Sequence, residues 1–140
     1  MNSKYKVLKY RSNNTKDVDD SISIEEPLEI TIKFKEKEIW TENTISITMR
    51  TPGNDEDLVR GFLFNERIIE KIEYIDNIKS VGENVGQYNL KNKIVATINN
   101  SENVDIDKIK RNFLTNSSCG VCGKTSLDSL EIIKKNKILK

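Results

Sequence analysis

The chain has 140 residues, of which 36% are hydrophobic and 32% charged, with a formal net charge of +1. That length allows one domain with its own core, while the thin apolar supply leaves surface for a partner or further polypeptide to cover. Balanced charge argues against a general nucleic-acid footprint, and no run approaches the about eighteen apolar residues needed to cross a bilayer, so neither nucleic acid nor membrane is an expected partner.

The first ten residues, Met1 to Tyr10, are charged throughout and carry no apolar signal region, which predicts a cytoplasmic protein whose thiols stay reduced. Lys4 to Tyr10 alternates as a strand, and the polar residues 11 to 21 read as an exposed loop. Residues 1–24 are therefore set apart from a main region spanning 25–140. From Pro27, the period-two series Leu28, Ile30, Ile32, Phe34 predicts a half-buried strand. Glu25 and Glu26 stand at its mouth, either as a general acid/base pair or as solvent-facing carboxylates.

Glu38 to Trp40 and Ile45 to Met49 read as two further strands, antiparallel to their neighbours because the loops are too short for a crossover. Arg50-Thr51-Pro52-Gly53 turns the chain. Arg50 there suits a bidentate grip on a phosphate or carboxylate, or an ion pair with one of the acids at 55 to 57. Asn54 caps a helix with Asp55, Glu56 and Asp57 in its first turn and Leu58, Val59, Phe62, Leu63 and Ile69 on one apolar face. Gly61, inside that helix, predicts close approach of another backbone. Tyr74 to Val81 and Lys93 to Ile98 read as strands, Asn99 to Asn103 as a polar loop, and Val104 to Phe113 as a short helix. The expected fold class is α+β, a layered mixed sheet (mixed α/β) with two or three helices.

Ser118-Cys119-Gly120-Val121-Cys122-Gly123-Lys124 holds both cysteines of the chain. Cys-x-x-Cys spacing brings two sulfurs together across one tight turn, and the flanking glycines permit left-handed backbone. A helix is predicted to follow, with Thr125 and Ser126 as cap residues, Leu127, Leu130 and Ile133 on one face, and basic residues late, up to a cluster at Lys134 to Lys140. The dipole of that helix and Lys124 would lower the thiol pKa of Cys119 below the free value of about 8.5, which suits a nucleophile or sulfur carrier. Two alternatives stay open. A zinc site needs four ligands, and a chain with two cysteines and no histidine would borrow carboxylates or a second chain. A thiol redox pair normally follows a strand in a βαβ unit. A phosphate-binding loop is excluded, because its spacing demands glycine where Ser118 stands.

The run Phe113-Leu114-Thr115-Asn116-Ser117-Ser118-Cys119-Gly120-Val121-Cys122-Gly123-Lys124-Thr125-Ser126-Leu127 resembles the signature of the formate dehydrogenase accessory sulfurtransferases, the FdhD sulfur carriers. Glu25-Glu26-Pro27-Leu28-Glu29-Ile30 is similar to a second segment of that family. So is Ile45-Ser46-Ile47-Thr48-Met49-Arg50-Thr51-Pro52-Gly53, followed by Leu58 and Gly61-Phe62-Leu63-Phe64-Asn65-Glu66. The resemblance implies a sulfurtransferase with Cys119 as persulfide carrier and Cys122 as its partner. It implies a cysteine desulfurase as donor and, as substrate, the molybdenum or tungsten bis-molybdopterin guanine dinucleotide of formate dehydrogenase, with no permanently bound cofactor or metal. A homodimer is allowed. Family members continue past the cysteine motif into a second half resembling the cytidine-deaminase fold. This chain ends at Lys140, so that C-terminal half and most of its nucleotide pocket are expected to be absent.

Overall fold

A computed structural model describes residues 1–86, 88–99, 102, 104 and 105. The described elements are strands β1 (Asn2–Arg11), β2 (Asn14–Ser23), β3 (Glu26–Glu36) and β4 (Ile39–Arg50), helix α1 (Asp55–Asn65), a short 3-10 turn (Ile72–Tyr74), and strands β5 (Ile75–Val81) and β6 (Lys93–Ile98). β1 and β2 form a two-stranded sheet, and the other four are ordered β4-β3-β6-β5. β3 runs antiparallel to β4 but parallel to β6, the crossover being made through α1 and β5. This is an α+β fold built on a mixed sheet, as the sequence predicts. The helices expected at 104–113 and after Thr125 fall outside the described residues or run beyond them.

Residues 11 to 21 are not a loop. They contain the turn Ser12-Asn13 and most of β2, which pairs along its whole length with β1, from Arg11 opposite Asn14 to Asn2 opposite Ser23. Both turn residues have positive φ, 49° and 65°, the geometry of the two-residue turn whose twist matches that of the strands. The stretch lacks an apolar alternation because neither face of this hairpin is buried, and its backbone pairing is what makes it a strand. A second two-residue turn, Lys37 (φ 48°) and Glu38 (φ 67°), closes β3 onto β4. Glu38 therefore belongs to the turn, and the two strands expected at 38–40 and 45–49 are one. β4 runs on past a bulge opposite Ile30 and Thr31, where Ile30 pairs with Ser46 and Thr31 with Thr44, leaving Ile45 as the extra residue.

Leu28, Ile30, Ile32 and Phe34 of β3, with Ile94, Ala96 and Ile98 of β6 and Ile78 of β5, make the core side of the sheet. Val59 and Leu63 of α1 pack against it, together with Ile68 and Ile69. Each side chain of this size contributes about 1.5–3 kcal/mol by leaving water. Ile69 is in the core, yet not on the helix. Arg67 turns left-handed (φ 53°), its N–H bonds to the Phe64 carbonyl at 3.0 Å, and the Ile68 N–H returns to the Leu63 carbonyl at 2.9 Å. That closing pattern ends the helix at Asn65 and carries Ile68 and Ile69 back over the sheet.

Two other local expectations change. Asn54 precedes the helix, but its side chain makes no capping bond, and only its carbonyl accepts the Leu58 N–H, at 3.0 Å. At Gly61 an added Cβ would meet nothing within 4 Å, so no backbone crowds that position. No helix among the described residues is long and apolar enough to cross a membrane.

Candidate functional site

Cys119 and Cys122 lie outside the described residues. Of the other residues singled out, Glu25, Glu26 and Arg50 come to one place, the junction where β3 begins and β4 ends, because Glu26 and Arg50 are register partners. Arg50 is 7% exposed. Its Nε donates to Asp55 Oδ1 at 2.9 Å and its Nη2 to Asp55 Oδ2 at 3.0 Å, a two-point grip across the Thr51–Asn54 turn. Nη1 donates to the Glu26 carbonyl at 3.4 Å, and Nη2 also faces the Lys91 carbonyl (3.4 Å) and Asn92 Oδ1 (3.2 Å). Asn92 Nδ2 then donates to Glu26 Oε2 at 3.3 Å.

One guanidinium thus ties together the starts of β3 and α1, the end of β4 and the approach to β6. The fork that would seize an outside anion is occupied by Asp55, so the internal ion pair is the reading the structure realises. Glu26 is half-buried and engaged with Asn92, whereas Glu25 is exposed. Both line a cleft of about 330 Å³ with Tyr5, Ser23 and Tyr88. Hydrogen bonds with Tyr88 and, less strongly, Ser3 hold the Tyr5 phenol below its ordinary pKa of 10.0.

A second polar cluster escaped sequence reasoning. Glu29 is 6% exposed in the middle of β3, and its Oε1 accepts from Lys93 Nζ at 3.0 Å, Thr44 Oγ1 at 3.2 Å and Thr31 Oγ1 at 3.5 Å. Its position between core residues Leu28 and Ile30 places it on the opposite face of the strand, where a buried carboxylate needs such partners. The pairing with Lys93 follows from the parallel register of β3 and β6, which no local pattern reveals.

A cleft of about 760 Å³ opens at the end of α1 between Phe64, Arg67, Ile68, Tyr74, Val104 and Asp105. The Asp105 N–H donates to the Ile68 carbonyl at 3.0 Å, which ties Asp105 to the segment that follows α1.

Comparison with known proteins places these features. The model of the FdhD/NarQ family matches residues 23–140, a span that includes β3, β4, α1, the Arg50 junction and both cysteines. The chain belongs to the FdhD/NarQ family. The sulfur carrier protein FdhD of Sulfurisphaera tokodaii is 35% identical over 131 residues, covering 94% of this chain and 45% of that protein. The sulfur carrier protein FdhD of Picrophilus torridus is 40% identical over 123 residues, covering 88% and 41%. A crystal structure from Desulfotalea psychrophila, provisionally described as a formate dehydrogenase accessory protein, superposes with a TM-score of 0.50 at 23% identity, over 69% of this chain and 35% of that one. That likeness is one of fold. The chain spans about half the length or less of the curated FdhD relatives it matches.

Proposed function

We propose that this protein is a sulfur carrier that takes persulfide sulfur onto Cys119. The observation that carries the reading is the family match over residues 23–140, which contains the Cys119-Gly120-Val121-Cys122 motif, together with relatives named as sulfur carriers at 35–40% identity. The donor is a cysteine desulfurase in the cytoplasm. The acceptor substrate is the molybdenum or tungsten guanine-dinucleotide cofactor destined for formate dehydrogenase.

In the loading step the Cys119 thiolate attacks the terminal sulfur of the donor's persulfide, the donor's S–S bond breaks, and the donor cysteine leaves as a thiolate. Lys124 and the helix expected after it keep Cys119 ionised for that attack. Release follows when the Cys122 thiolate attacks the Cys119 sulfur of the persulfide. This forms a Cys119–Cys122 disulfide and expels hydrosulfide to the acceptor, and a cellular dithiol then returns two electrons to the pair.

Incubating the reduced chain with a cysteine desulfurase and cysteine, then weighing it by mass spectrometry, tests the reading. One added sulfur on the Cys119 peptide, removable by dithiothreitol, is the expected result. A folded, reduced chain that gains none, but binds zinc stoichiometrically, would establish the metal module instead.

A further inference from the structure

Among the described residues, strand β1 lies at the edge of the two-stranded sheet and pairs with β2 alone. Its turn fixes which groups are left over. In a ladder closed by a two-residue turn, Arg11 and Asn14 exchange both backbone bonds, and every second pair repeats this. The bond from the Ile24 N–H to the Met1 carbonyl, 3.1 Å, falls on the same alternation. The outward N–H and C=O groups are therefore those of Asn2, Lys4, Lys6, Leu8 and Tyr10.

The side chains along this edge have one sign. β1 carries Lys4, Lys6, Lys9 and Arg11 and no acid, and none of the four forms an ion pair among the described residues, although Asp19 stands directly across from Lys6. Tyr5, Leu8 and Tyr10, interleaved with these cations, are 45%, 66% and 67% exposed. A strand kept free only to stay soluble has no use for large apolar groups such as Leu8 and Tyr10 among its lysines.

We propose that the outer edge of β1 is a docking site for an extended acidic segment of a partner protein, which adds to the hairpin as a third strand. Backbone bonds at Lys4, Lys6 and Leu8 hold the segment, and its carboxylates meet Lys4, Lys6, Lys9 and Arg11. Its apolar residues cover Leu8 and Tyr10. A third strand also steadies a hairpin that two strands alone hold only marginally.

The test uses the full chain and a labelled ten-residue peptide with Glu at the positions facing Lys4, Lys6, Lys9 and Arg11 and Val at those facing Leu8 and Tyr10, with peptides carrying Gln or Lys in place of Glu for comparison. Anisotropy should show the Glu peptide binding at least about tenfold more tightly than the Gln peptide, with no binding of the Lys peptide. The Lys4→Gln/Lys6→Gln/Lys9→Gln variant, which keeps strand-compatible side chains, should lose that preference. Lys6→Pro, which removes an outward N–H and keeps the internal ladder, should weaken binding of the Glu peptide about tenfold. Hydrogen exchange should slow at Lys4, Lys6 and Leu8 only when the Glu peptide is present. Equal binding of the Glu and Gln peptides, or a preference surviving in the triple variant, overturns the proposal. Self-association of the free chain that the triple variant abolishes also overturns it, because the edge would then be filled by the acidic β2 of a second copy.

Discussion

Arg50 grips Asp55 through two parallel hydrogen bonds, 2.9 and 3.0 Å long, across a turn that contains the buried Pro52. The pair joins the last residue of β4 to the first of α1, so the start of the helix is tied to the sheet by a contact separate from its apolar face.

Arg50→Met leaves the Asp55 carboxylate and two carbonyls without their donor. Unfolding by urea should show a loss of about 3 kcal/mol, the low end for a broken buried pair because the Asp55 side chain keeps 18% exposure. Arg50→Lys should recover little of this, since a single ammonium cannot make the two-point bond and still reach Asn92. A variant as stable as the native chain would show that the junction is decoration on an already determined turn.

Gly61→Ala should stabilise the protein by about 0.5–1 kcal/mol, because the position is helical and open, and alanine loses less backbone entropy there. Thermal or chemical denaturation would measure the gain. Destabilisation would mean that something does crowd this turn of the helix.

Tyr5 should ionise below 10.0, because hydrogen bonds from Tyr88 first, and Ser3 second, favour the phenolate. A depressed folded pKa adds stability that is fully present above pH 10.0 and fades as the pH falls through the lower folded value. Ring-carbon NMR of Tyr5 across alkaline pH checks the shift. Tyr88→Phe should move the midpoint up towards the ordinary value, and an unchanged midpoint would assign the shift elsewhere.

Cys119→Ser should abolish sulfur loading, whereas Cys122→Ser should load as well as the native chain but release hydrosulfide slowly, since the second thiol acts only after transfer. Mass spectrometry of loaded protein and a sulfide assay over time separate the two steps. Equal loss of loading in both variants would indicate that the thiols act as a shared metal or disulfide site.

The local pattern of the chain was enough for those elements whose residues report their own burial. Leu28, Ile30, Ile32 and Phe34 alternate because one face of β3 is buried, and Val59 and Leu63 recur at helical spacing because one face of α1 is. The cysteine motif and its neighbours were likewise legible as residues and spacing, and they identified the family before any geometry. What tertiary structure decided are the relations whose partners are distant in sequence. β2 has no buried face and becomes a strand only by pairing with β1, and Glu29 owes its role to a parallel register with Lys93, on the far side of the helix crossover. α1 stops at Asn65 although the apolar spacing continues to Ile69, because a left-handed Arg67 turns the chain, the Ile68 N–H returns to the Leu63 carbonyl, and Ile68 and Ile69 enter the core from that turn. For Arg50 the sequence offered two partners, an outside anion or a nearby acid. The buried joint between β4 and α1 chose Asp55, since a guanidinium so far from water needs its counter-charge within the fold.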